Sequence, residues 1–156
     1  MSLTRRSAIF LTLAALAACG KRDAQVSRAA YNGDLYPGET PELRALINEY
    51  ADGYGVPRSL FHRVIQRESG YNPAARNGTY YGLMQIAPPT ARTMGHRGSP
   101  ETLLDAETNL KYAGKYLRGA WLVSRGDEDK AIGWYARGYY YEAKRMGLLY
   151  ETGLRT

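Results

Sequence analysis

A mostly α single domain of five or six helices with a minor β-hairpin is what this 156-residue sequence predicts. Three observations carry that expectation. Apolar residues recur at helical spacing in four separated segments after residue 40. Residues that start and stop helices bracket those segments. The stretch from 70 to 80 has no such period and holds Asn72-Pro73 and Asn77-Gly78, which favour a loop or a small hairpin.

Thr40-Pro41-Glu42 reads as the first helix start, with Thr as cap and Pro at the first position. Leu43, Leu46, Ile47 and Tyr50 continue it as one face, and Gly53 and Gly55 end it. The second helix runs from Pro57 to Glu68 with Phe61, Val64 and Ile65 as its apolar stripe. Tyr80 to Ile86 is a short strand or turn leading to Pro88-Pro89, and Thr90 to Met94 is a short helix. The longest periodic segment spans 105–124, with Leu110, Ala113, Leu117 and Trp121 on one face and Gly126 as its stop. Asp127 caps a last helix that presents Ile132, Tyr135, Ala136 and Tyr139. No repeats or low-complexity tracts interrupt this order, and the length suffices for one buried core.

The N-terminus is set apart from that domain. Arg5 and Arg6 precede an apolar run, residues 9–16, too short to span a membrane but of signal-peptide length. Leu16-Ala17-Ala18-Cys19 resembles a bacterial lipobox, and Cys19 is the sole cysteine of the chain. A chance free thiol in an ordinary signal peptide is the plainer alternative. We therefore expect a lipoprotein signal peptide over 1–18, a lipidated Cys19 with a flexible tether over 19–38, and the domain over 39–156. Thr4-Arg5-Arg6 also resembles a twin-arginine export signal, so either export route is open. Gly20 stands where an inner-membrane retention signal would have Asp. In a Gram-negative source this favours the outer membrane, facing the periplasm, with lipid as the anchor.

Charge narrows the partners little. Taking Arg5 and Arg6 from 21 Lys and Arg leaves 19 against 15 Asp and Glu, a balance of +4. That suits an anionic polymer such as a cell wall, and equally nucleic acid or anionic lipid. No helix-turn-helix or RNA-binding signature is present, and export argues against a nucleic-acid role. The two histidines, His62 and His96, have no ligand spacing, so no metal or other cofactor is expected. His62 reads as a helix-surface residue. Ser69 has no histidine near it in sequence to activate it as a nucleophile.

Glu68 is the chemically uncomfortable residue. It falls three and four positions beyond Ile65 and Val64, on the apolar stripe. A carboxylate aimed at a core is desolvated, so its pKa rises and it keeps a proton near neutral pH, as a general acid must. From this segment alone, an ordinary surface Glu in a frayed last turn fits as well.

Four separated pieces bear on that choice: Glu68-Ser69-Gly70-Tyr71-Asn72-Pro73, Gly82-Leu83-Met84-Gln85-Ile86, Asn109-Leu110 with Gly114-Lys115-Tyr116-Leu117, and Trp134-Tyr135-Ala136-Arg137-Gly138. Their order and spacing resemble the soluble-lytic-transglycosylase domain, a bacterial family with a goose-lysozyme-like fold, over roughly residues 39–145. The resemblance implies a lysozyme-like domain that cleaves the β-1,4 bond from N-acetylmuramic acid to N-acetylglucosamine in peptidoglycan, leaving 1,6-anhydro ends. It makes Glu68 the catalytic acid/base, with Ser69 helping to hold the site. It puts Gly82, Leu83, Met84 and Gln85 along the glycan groove, with Met84 as an apolar wall and Gln85 bonding sugar groups. It gives Tyr135 a hydroxyl contact with the catalytic carboxylate and Asn109 a structural role, a bond to backbone. The expected partners are peptidoglycan strands and the membrane through Cys19, with the chain a monomer.

One departure stands out. The family often has Ala-Tyr-Asn where this chain has Trp134-Tyr135-Ala136, so an amide is missing. Tyr139-Tyr140-Tyr141 is also unusual; the rings could stack on sugars, though packing is the duller reading for two of the three. The alternatives to a transglycosylase are a muramidase on the same fold, which admits water, and a non-catalytic peptidoglycan-binding lipoprotein.

Overall fold

The computed structural model describes residues 34–155. The expected signal peptide, Cys19 and the tether up to residue 33 lie outside the described residues. The described chain is mostly helical, with six α-helices and a two-stranded antiparallel sheet, in keeping with a lysozyme-like single domain.

Helix α1, Pro41–Tyr54, starts where Thr40 Oγ1 accepts the Leu43 N–H at 3.2 Å. It ends at Gly55, whose left-handed backbone sends its N–H back to the last turn. Helix α2, Arg58–Glu68, buries Leu60, Phe61, Val64 and Ile65. Strands β1, Arg76–Asn77, and β2, Tyr80–Tyr81, pair antiparallel across the two-residue turn Gly78-Thr79. Helix α3, Pro88–Thr93, and a 3-10 turn, Pro100–Leu104, lead to α4, Ala106–Ser124. Asp105 caps α4 by accepting the Thr108 N–H at 2.8 Å. Asp127 does the same for α5, Glu128–Arg137, through the Lys130 N–H at 3.0 Å. Helix α6, Tyr140–Met146, follows.

Helix α4 is the axis of the molecule: α1, α3, α5, α6 and the 3-10 turn all pack on it. Its buried face runs through Asn109, Leu110, Ala113, Leu117, Ala120 and Val123. Trp121 sits half-buried beside that face rather than on it. The helix stops at Arg125, which itself takes the left-handed conformation, one residue before the expected Gly126. Tyr139 does not extend the α5 face. It lies beyond the end of α5, buried, with its hydroxyl donating to the Tyr116 carbonyl at 2.8 Å.

Two expectations need correction here, and they share a cause. Residues 34–38 are not tether. The Glu39 carboxylate, its side chain fully buried, accepts from the Arg44 guanidinium and from the Tyr36 N–H. Arg44 also donates to the Asp34 carbonyl at 3.0 Å. The Tyr36 ring stacks on Tyr71 and His62. His62 is accordingly buried rather than on the surface. Its Nδ1 lies 2.9 Å from the Tyr71 hydroxyl and its Nε2 3.1 Å from Asn48 Oδ1. The short irregular segment covers a helix face that periodicity alone would leave wet.

Candidate active site

Glu68 closes α2. Its predecessors on the stripe, Val64 and Ile65, are buried, and Ser69 and Gly70 turn the chain away immediately after it. The side chain is left 25% exposed, at the edge of the core. Burial pushes its pKa above the ordinary 4.5, while the charge of Arg67 opposes that rise. Arg67 Nε stands 3.7 Å from Glu68 Oε1, beyond hydrogen-bond distance, so its effect is through space.

Glu68 opens into a cleft of two adjoining hollows, of about 220 and 260 Å³. The first is lined by Arg67, Glu68 and Asn77, the second by Thr90, Tyr116 and Arg137 among others. Tyr80, Gln85, Tyr135 and Ala136 line both and make them one cleft. Among the described lining residues Glu68 is the sole carboxyl. No three described His, Cys, Asp or Glu side chains come together as a metal would require.

The turn 82–85 forms the bend of the cleft, but not as the motif implied. Leu83 and Met84 are fully buried and face the core, so neither gives the groove a wall. Gly82 is held in a left-handed conformation, and a Cβ there would lie 2.3 Å from both Asn109 Nδ2 and the Leu103 carbonyl oxygen. That space is taken by Asn109, which is buried and spends its whole amide on backbone. It accepts the Met84 N–H at 2.9 Å and donates to the carbonyls of Tyr81 and Leu103, each at 2.8 Å. Gln85, with φ +48°, is the residue of the turn that reaches the cleft. Its Nε2 donates to the carbonyls of Ala75 and Gly82, at 3.1 and 2.9 Å. Its Oε1 accepts no hydrogen bond from the described residues, and Gln85 lines both hollows.

Tyr135 and Ser69 also differ from expectation. The Tyr135 hydroxyl donates to the Met84 carbonyl at 2.8 Å, not to the Glu68 carboxylate. Its single proton is thereby used, and it can only accept from a protonated Glu68. Burial first, and then the Glu68 charge, hold this phenol well above its ordinary pKa. Ser69 does not line the cleft. Its Oγ reaches back to the Ile65 carbonyl at a long 3.4 Å, a weak cap on the end of α2.

Sequence reasoning missed Arg67, Asn77, Tyr80, Tyr116 and Arg137 as cleft residues. Tyr80 had a usable signal, since a hairpin tyrosine out of register with the core is 50% exposed. Arg67 stands beside Glu68 at the end of α2, while Asn77, Tyr116 and Arg137 converge through the packing of α5 on α2 and α4 and of the hairpin on the 3-10 turn. Ala136, the departure from the family pattern, is exposed and sits in the wall shared by both hollows. Tyr140 and Tyr141 are exposed on α6, and neither lines the cleft.

Comparison with known proteins identifies the family. The model of the Transglycosylase SLT domain matches residues 45–148, and the chain belongs to that family. It is 34% identical over 80 residues to the soluble lytic murein transglycosylase of Escherichia coli K12, covering 47% of this chain and 12% of that protein. It is 35% identical over 80 residues to membrane-bound lytic murein transglycosylase C of Yersinia enterocolitica, covering 46% of this chain and 22% of that one. Over 54 residues it is 48% identical to membrane-bound lytic murein transglycosylase F of Shewanella woodyi, covering 34% of this chain and 10% of the relative. The matched region thus spans less than a quarter of these relatives' length. No solved structure matches the chain significantly.

Proposed function

We propose that the chain is a peptidoglycan lytic transglycosylase that cleaves the β-1,4 bond between N-acetylmuramic acid and N-acetylglucosamine, with Glu68 as its single acid/base. The observation that carries this reading is a lone half-buried carboxyl, its pKa raised by desolvation, in a cleft with no second acid among its described lining residues. A glycosidase that uses two carboxylates needs the second about 5–9 Å away. One carboxyl suffices if the substrate supplies its own nucleophile. Glu68 gives its proton to the glycosidic oxygen as the C1–O bond breaks. The C6 hydroxyl of the same muramic acid then bonds to C1 and returns its proton to the Glu68 carboxylate. The products are a free 4-hydroxyl on one side and a 1,6-anhydro ring on the other, with no water consumed.

In this reading Gln85 Oε1 accepts from a sugar hydroxyl or amide. Tyr135 and Asn109 act through the backbone of the 82–85 turn and set where Gln85 stands. Attachment to the outer membrane, facing the periplasm, runs through lipid on Cys19. The relatives named as membrane-bound transglycosylases support attachment of some kind. No helix of the described residues is long and apolar enough to cross a membrane.

The test is mass spectrometry of products released from purified peptidoglycan by the wild-type chain and by Glu68→Gln. Anhydro-muropeptides from the first and none from the second are expected. Reducing-end products would replace the reading with a hydrolytic muramidase, and sedimentation with the wall without release would replace it with a binding protein. For the anchor, Cys19→Ser should move the protein from the membrane to the soluble fraction.

A further inference from the structure

Arg137 is the last residue of α5 and lines the second hollow, next to the one that holds Glu68. Its guanidinium carbon lies 4.0 Å from the centre of the Trp134 ring. A Cβ on Gly133 would come within 2.8 Å of its Nη1, so the missing side chain at 133 leaves room for the guanidinium there. Stacking engages the flat face of a guanidinium and leaves its N–H edge for an acceptor.

Five other described arginines face acids, while Arg76, Arg92, Arg97, Arg118, Arg125 and Arg155 pair with none and lie outside the cleft. Arg44 faces Glu39, Arg58 faces Asp52, Arg63 faces Glu128 and Asp129, and Arg145 faces Glu142. Arg67 faces Glu68 itself. No described Asp or Glu pairs with Arg137, and none lines its hollow. A cation held against a ring, in a cleft and without a counter-ion, is arranged to receive an anion.

We infer that Arg137 is a specificity-determining residue that binds a carboxylate carried by the glycan strand, beside the sugar at the cleaved bond. The inference rests on the glycan-cleaving reading of the cleft. Two sources supply that chemistry: the lactyl carboxylate of a muramic acid stripped of its peptide, or a carboxylate of the peptide stem where one remains. A cation at a helix C-terminus also favours the helix dipole. That role alone would affect stability and leave substrate preference unchanged.

Binding distinguishes the two. The full chain in detergent carries Glu68→Gln to prevent turnover, alone or with Arg137→Gln or Arg137→Lys. Calorimetric titration uses amidase-stripped glycan strands and the same strands with their carboxyls capped as neutral methylamides. With Arg137 present, capping should weaken binding about tenfold, the size of a charge-assisted hydrogen bond in a partly open site. With Arg137→Gln the ratio should fall to about one, and Arg137→Lys should keep part of it. A preference seen only with stem-bearing strands, and still dependent on Arg137, would support the inference and assign the carboxylate to the peptide. An equal capping effect in the presence and absence of Arg137, on both kinds of strand, would overturn it. Anhydro products from the wild-type chain alongside that result would sink this inference and leave the proposed function standing. Neither binding nor cleavage of any strand would overturn both.

Discussion

At the scale of single residues the site turns on how two oxygens spend their protons. The Tyr135 hydroxyl gives its proton to the Met84 carbonyl, so no phenolic hydrogen bond stabilises the Glu68 carboxylate. Desolvation then has only the through-space charge of Arg67 against it, and the Glu68 pKa lies above 4.5. In the proposed mechanism the protonated Glu68 carboxyl is the active form, so activity should fall as pH rises through that raised value. The pH dependence of kcat/KM should show its loss at a pH above the ordinary Glu range. A loss centred on the ordinary value would contradict the assignment. Glu68→Gln should lower kcat by about 10²–10⁴-fold. Tyr135→Phe should behave differently. It strands the Met84 carbonyl in the core and should cost about 1–3 kcal/mol in denaturant unfolding. The position of the pH–rate loss should stay close to wild type, because the phenol was not bonding the carboxylate. A marked shift of that position would mean the hydroxyl turns to Glu68 in solution.

At the scale of elements, the cleft depends on a join between the 82–85 turn and α4. Asn109 makes that join with three backbone bonds, and the left-handed glycine at 82 leaves the space it needs. Because Gln85 follows on the same turn, the position of a cleft residue is decided by one that touches no substrate. Asn109→Ala removes all three bonds, stranding the buried Met84 N–H and taking a donor from the Leu103 and Tyr81 carbonyls, of which Tyr81 still accepts the Ile86 N–H. It should cost about 3 kcal/mol or more in equilibrium unfolding. Activity, measured cold enough for circular dichroism to show a folded helix content, should still fall through disorder at Gln85. Full activity in the folded variant would show that the turn keeps its shape without the join.

At the scale of the whole molecule, what was legible in the sequence and what was not divide along one line. Helix order, the caps at Thr40 and Asp127 and the hairpin at Asn77-Gly78 are local signals, and each appears close to where it was expected. Glu68 was conspicuous because a carboxylate interrupts an apolar stripe. Arg137 and Tyr116 enter the cleft only through packing, and Leu83 and Met84 leave it for the same reason. The segment 34–39 has no period at all, and with it the burial of His62 was hidden. That buried corner sets the response of the fold to acid. Burial pushes the His62 pKa below 6.5, and the charges of Arg44 and Arg58 add to this; Glu39, 3.5 Å away, opposes it without reversing it. Burial raises the Glu39 carboxyl, but the bonds from Arg44 and the Tyr36 N–H outweigh it, and its pKa lies below 4.5. Both groups bind fewer protons folded than unfolded, so the stability they contribute at neutral pH is lost on acidification, from 6.5 downward for His62 and from 4.5 downward for Glu39. Glu68 has the opposite sign. Its raised pKa costs stability at neutral pH, and that cost disappears as pH falls through the folded value toward 4.5. Melting temperatures of wild type and Glu68→Gln, taken from about pH 8 to about pH 4, should therefore converge. The variant should melt higher at neutral pH, decline more steeply as His62 takes up its proton, and meet the wild type near the ordinary Glu pKa. A gap that stays constant across that range would mean Glu68 titrates as an exposed carboxylate, and the chemistry assigned to it would lose its physical basis.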